Sequence, residues 1–108
     1  MAEVIIEVKT LQNNNVVGKM VLSKVGRDNG EAYIVISETD SNYLLLANGS
    51  TKTIQMPKKK KLKHLVITDI TMYDLKQYIA SNDKNINLKI KRFLKLRGIC
   101  KEVWLPYV

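Results

Sequence analysis

Cysteine, histidine, aromatic rings and long apolar runs are all scarce in this sequence, and each scarcity removes a class of protein. Cys100 is the single cysteine among 108 residues, which excludes an internal disulfide framework and a cysteine-only metal site. His64 is the single histidine, and it shares no predicted element with Cys100. A Cys–His nucleophile pair stays open on residue types alone, but neither residue has an orienting acid or a catalytic signature around it. The simpler reading is a core cysteine and a surface or groove histidine. The five glycines form no phosphate-binding loop, and the familiar Mg²⁺ and Zn²⁺ ligand motifs are missing. No enzymatic activity is therefore expected, and no cofactor or small-molecule substrate is implied.

The longest apolar stretches, Tyr43–Ala47 among them, have five residues, far below the ~20 needed to span a bilayer as a helix. The opening Met1-Ala2-Glu3-Val4-Ile5-Ile6-Glu7 has no basic region and its apolar stretch is interrupted by acids, unlike a signal peptide. A cytoplasmic protein with no membrane partner is the expectation. Five Tyr, one Trp and one Phe offer few rings for stacking on single strands, and Tyr33 and Phe93 read as core.

Basic charge, by contrast, is plentiful and uneven. Eighteen Lys and Arg oppose ten acids, a formal net charge of +8. Residues 1–51 carry four bases (Lys9, Lys19, Lys24, Arg27) against six acids; residues 52–108 carry fourteen against four. A cluster of this kind on a small chain points to a polyanion, and the abundant one is nucleic acid.

The chain then divides by pattern. Residues 3–9 alternate loosely, with Val4, Ile6 and Val8 on one face, and read as a short strand; residues 11–15 contain three consecutive Asn and read as a turn or linker. Strands are predicted over 16–22, 32–37 and 43–47. Gly26 and Asp28-Asn29-Gly30 supply one turn, and Asp40-Ser41-Asn42 another. Asn48-Gly49 is a strong hairpin signal, with residues 52–56 as its returning strand and Leu65-Val66-Ile67 as a last short one. Short strands at this spacing indicate a strongly bent antiparallel sheet or small barrel.

Beyond it, Thr71 resembles a helix N-cap with Asp74 three positions later, and Met72, Leu75 and Ile79 recur at helical spacing. This helix is predicted to stop near Ser81-Asn82, and Asp83 to cap a second. In the second, Ile86, Ile90 and Phe93 share a face and Gly98 marks the end; residues 86–90 also alternate with period two and fit a strand. An extended tail is expected after Gly98. The predicted fold is mainly β with α, an SH3-like small barrel followed by one or two C-terminal helices. Residues 1–15 form an N-terminal extension, 16–67 the barrel and 68–108 a helical appendage.

Two segments carry the candidate chemistry. The run Pro57-Lys58-Lys59-Lys60-Lys61-Leu62-Lys63-His64 gathers five lysines and no acid, a repulsion that a phosphate backbone relieves with release of its condensed ions. A solvated basic loop is the plainer reading. Gly26-Arg27-Asp28-Asn29-Gly30 allows an unusual backbone path, Arg27 forks onto phosphate or a guanine edge, and Asp28 either holds Arg27 or makes the turn. In the second helix Lys91, Arg92 and Lys95 project away from the apolar face, and no acid occurs between Lys84 and Lys101.

Residues 17–44, through Lys24-Val25-Gly26-Arg27-Asp28-Asn29-Gly30-Glu31-Ala32-Tyr33-Ile34-Val35-Ile36, resemble a KOW motif. With Leu46-Ala47-Asn48-Gly49 and the lysine segment ending in His64-Leu65, the stretch 16–67 is similar to small bacterial KOW-domain RNA-binding proteins grouped with archaeal and eukaryotic-type large-subunit ribosomal proteins. The first fifteen residues and the ending beyond Gly98 fall outside the match. The resemblance implies an SH3-like barrel that binds structured RNA. It carries that role to Lys24, Gly26, Arg27, Asp28 and Gly30, and to Lys58, Lys59, Lys60, Lys61, Lys63 and His64. The expected function is non-catalytic binding of RNA, ribosomal RNA of the large subunit, as a ribosome component or a ribosome-associated assembly factor, with ribosomal proteins as further partners. The alternative is a protein-interaction adaptor of the transcription or translation machinery. A third reading is a chromatin-type duplex-DNA binder.

Overall fold

The computed structural model describes residues 16–39 and 42–104, excepting the side chains of 98–104. Five strands come first: β1 Lys19–Ser23, β2 Ala32–Glu38, β3 Tyr43–Ala47, β4 Lys58–Lys61 and, after a 3-10 turn at Leu62–His64, β5 Leu65–Thr71. Two helices follow, α1 Leu75–Ala80 and α2 Ile86–Trp104. The strands form one antiparallel sheet in the order β4-β3-β2-β1-β5. It is open, with β4 and β5 at opposite edges and the 3-10 turn joining them. Register shifts between Lys19 and Val21 and between Val35 and Ser37 bend it, as an extra residue in one strand increases local twist.

The apolar run of β2 is continuous because both sheet faces are covered. Val21, Tyr33, Val35, Leu44 and Leu46 point to one side, where Val16 and Leu65 complete a core. Met20, Ile34 and Ala47 point to the other, against Met72, Leu75 of α1 and Ile86 and Ile90 of α2. Both helices are thus part of the second core. No helix among the described residues is long and apolar enough to cross a membrane.

β2 and β3 lie where the sequence places them, but several other expectations need correction. β1 starts at Lys19, since Gly18 has φ +92° and its N–H donates to Val35 O, which makes 16–18 a turn. Residues 52–56 form no strand. Asn48 accepts from the N–H groups of Ser50 and Lys52, then Thr53 and Met56 close a second turn, so the partners of Leu44 and Leu46 are Lys60 and Lys58. The lysine run itself is the returning strand.

Thr71 ends β5 and pairs with Lys19 instead of capping a helix; α1 starts after Asp74, whose side chain makes no capping bond. Asp83 does receive the N–H of Asn85, at 2.7 Å, and α2 rules out the strand reading of 86–90, with Ile86 and Ile90 one turn apart and buried. Gly98 does not end that helix. A glycine in a helix interior costs only ~1 kcal/mol relative to Ala, and the backbone stays helical to Trp104, so the expected extended tail is absent through that residue. The expected strand at 3–9, the linker at 11–15, Asp40, Ser41 and the side chain of Cys100 lie outside the described residues.

Candidate nucleic-acid interface

The β1–β2 connection closes tightly on itself. Gly30 N donates to Ser23 O at 2.6 Å, Ser23 N to Glu31 O at 2.9 Å and Glu31 N to Asp28 O at 2.8 Å. Gly26 and Gly30 both have positive φ, +95° and +91°, which side-chain-bearing residues rarely adopt. This path tucks Asp28 beneath the loop, 8% exposed, while Lys24 and Arg27 remain exposed above it.

Asp28 does not hold Arg27. Its Oδ1 accepts from Ser23 Oγ at 2.8 Å and Lys60 Nζ at 2.7 Å; its Oδ2 accepts from Tyr33 Oη at 2.8 Å and lies 3.1 Å from Lys58 Nζ. Burial alone would raise the carboxyl pKa. The bonds from Lys60, Ser23, Tyr33 and Lys58 overcome it and hold the group well below the usual carboxylate range. Burial first, then the bond to Asp28, pushes the Tyr33 phenol above its ordinary value. Lys60 also donates to Val25 O at 2.8 Å, which anchors the loop directly to β4.

The four lysines of β4 therefore divide by strand alternation. Lys58 and Lys60 share the inner face with their partners Leu46 and Leu44 and converge on Asp28. Lys59 and Lys61 take the other face and are exposed; Lys59 Nζ lies 4.9 Å from the Tyr43 ring centroid, a cation–π distance. The next turn adds exposed Lys63 and half-buried His64, whose carbonyl accepts from Lys24 N at 3.0 Å. Two segments more than thirty positions apart thus meet along one edge. Lys24, Arg27, Lys59, Lys61 and Lys63 are exposed there, while the candidates Asp28, Lys58 and Lys60 are bound to one another.

The second candidate surface is on α2. Gly49 lies against the helix so closely that a Cβ there would sit 2.1 Å from Asn87 O and 2.7 Å from Lys91 N. Asn87 accepts from Ile54 N at 2.9 Å and donates to Gln55 Oε1 at 3.0 Å, clamping the β3–β4 connection. Lys89 pairs with Asp83 and lies 4.1 Å from the Tyr78 ring centroid. Hydrogen bonding to Lys89 lowers the Asp83 pKa, and the same bond raises that of Lys89. Lys91, Arg92 and Lys95 are exposed and make no ion pair among the described residues.

Sequence reasoning missed Ser23 and Tyr33 as partners of Asp28, and it missed the partition of the lysines. The available signal was spacing: four consecutive lysines match the length of a strand, and alternate positions face opposite ways. Among the described residues no group of three or more His, Cys, Asp or Glu is placed to hold a metal ion. No protein-family model matches the chain, and no curated protein matches it significantly.

Proposed function

We propose that this chain is a non-catalytic RNA-binding module of the KOW type, which grips phosphates along the edge formed by the β1–β2 loop, β4 and the 3-10 turn. The observation that carries the reading is the Asp28 cradle, which fixes a loop and a lysine strand side by side with five cationic groups exposed. Preset cations suit backbone and shape readout of irregular RNA, where positioning contacts go to phosphate. The antiparallel meander, whose last strand returns to pair with the first, supports the SH3-like barrel that the resemblance implies. The RNA we propose is ribosomal, of the large subunit, bound as a component or an assembly factor. Lys91, Arg92 and Lys95 form a second phosphate surface.

The test is RNA affinity across a salt series. Each phosphate contact on a single strand contributes about −0.7 to the slope of log affinity against log salt. Joint replacement of Lys59, Lys61 and Lys63 by Ala flattens the slope by about two units if all three hold phosphates; an unchanged slope refutes the edge as the contact. Removing residues 83–108 is unsuitable for testing α2, because Ile86 and Ile90 belong to the second core. Point replacement of Lys91, Arg92 and Lys95 tests it instead. Sedimentation with large subunits at moderate salt supports a component, and sedimentation with precursor particles an assembly factor. A partner retained after ribonuclease treatment supports the adaptor reading.

A further inference from the structure

At the outer end of the β3–β4 pair the surface sinks into an open depression of about 480 Å³ lined by Asn42, Tyr43, Lys61, Leu62 and Lys63. Its floor is fixed by the backbone. Tyr43 and Lys61 are register partners, and Leu62 N donates to Asn42 O at 2.8 Å. The lining combines an aromatic ring, an apolar side chain, an amide and two exposed ammonium groups, with no acid among the described residues that form it. Lys59 Nζ lies over one face of the Tyr43 ring, 4.9 Å from its centroid, so a ligand stacks on the opposite face.

A phosphate needs only the cations, and an apolar peptide would leave Lys61 and Lys63 without partners. A planar base flanked by phosphates uses all of these groups: its face meets the tyrosine, its edge meets the amide, and the phosphates on either side meet the lysines. Base–aromatic stacking tolerates any base and is worth about 1–3 kcal/mol per base, so one ring suffices to make an unpaired nucleotide the preferred occupant.

We propose that the depression between the start of β3 and the 3-10 turn holds one unpaired nucleotide of an RNA strand, its base stacked on Tyr43 and its flanking phosphates on Lys61 and Lys63. This rests on the RNA-binding reading and specifies within it that the strand, not the duplex, enters at this corner.

The test is fluorescence anisotropy with a labelled uridine 12-mer, the same 12-mer made abasic throughout, a blunt RNA duplex and a uridine mononucleotide. The intact 12-mer binds wild-type protein at least 5-fold more tightly than the abasic strand, the lower bound of one stacked base. It also binds Tyr43→Phe normally and Tyr43→Leu at least 5-fold more weakly. The abasic arm uses unaltered protein, so it stands even if Tyr43→Leu fails to fold. Equal affinity for intact and abasic strands overturns the nucleotide subsite while leaving phosphate-driven RNA binding in place. Mononucleotide affinity equal to that of the 12-mer overturns it in favour of a free-nucleotide site, and duplex binding as tight as strand binding overturns the preference for unpaired RNA. Absence of binding to every RNA overturns both this proposal and the function it rests on.

Discussion

Lys58 and Lys60 differ from Lys59 and Lys61 only in which side of a four-residue strand they occupy, yet the two pairs live in different electrostatic worlds. The inner pair is partly or largely covered, with side chains 31% and 10% exposed, and shares a buried carboxylate. The outer pair is exposed and engages no acid among the described residues. Identical residues therefore hold the loop in place from one face and leave their charge exposed on the other. A lysine run is commonly treated as a uniform patch. Here strand alternation makes it two devices.

The sharpest way to break the contrast is to remove the carboxylate. Asp28→Ala leaves two covered ammonium groups without a counter-charge and the Tyr33 hydroxyl without its acceptor, while Ser23 and Lys60 keep only the Val25 carbonyl. Losing one member of a buried pair costs about 3–5 kcal/mol, and urea denaturation of the variant will show a loss in that range. Lys60→Ala has a smaller effect, about 1–3 kcal/mol, because Asp28 keeps Ser23, Tyr33 and Lys58. Lys58→Ala falls below it, since that side chain is more exposed. Lys59→Ala and Lys61→Ala stay within about 0.5 kcal/mol of wild type, as exposed sites do. A flat series across the four positions would remove the distinction.

Acid sharpens the same contrast. The Asp28 carboxyl is held below its unfolded value of about 3.9, so the folded state binds fewer protons than the unfolded state in the window below that value. Its contribution is complete above about pH 4 and declines as pH falls toward the folded value. Wild-type stability will thus drop more steeply between about pH 4 and 2 than that of Asp28→Asn, which has no carboxyl to titrate there. Parallel pH curves would contradict the cradle. The smallest stability change belongs to α2: Lys91→Ala, Arg92→Ala and Lys95→Ala leave the melting temperature in place and alter only the salt slope of RNA binding.

How far the sequence announces these features depends on how local their causes are. β3 is bounded by turn residues and reads directly, as does the 32–36 apolar run of β2. Asp83 and the Ile86–Ile90 spacing are also local signals, and α2 follows them. β4 is different. Lysine is depleted in strands, and four in a row suggest a solvated loop until a carboxylate some thirty residues away is known to lie beneath alternate positions. That pairing is tertiary, and Asp28 among turn-forming neighbours gives no sign of it. Gly49 is a similar case: it reads as a hairpin residue, and its closeness to α2 is visible only once the helix is in place. At the candidate site the residue types were legible, while their division into buried anchors and exposed contacts was not.

The division is tested most directly by two double variants, Lys58→Ala with Lys60→Ala and Lys59→Ala with Lys61→Ala, each measured for stability and for RNA affinity against salt. The inner double variant is expected to lose stability while its folded fraction keeps the wild-type salt slope. The outer double variant keeps its stability and flattens the slope by about 1.4 units, two phosphates' worth on a single strand. An inner variant that flattens the slope as much as the outer one, at unchanged stability, would contradict that division.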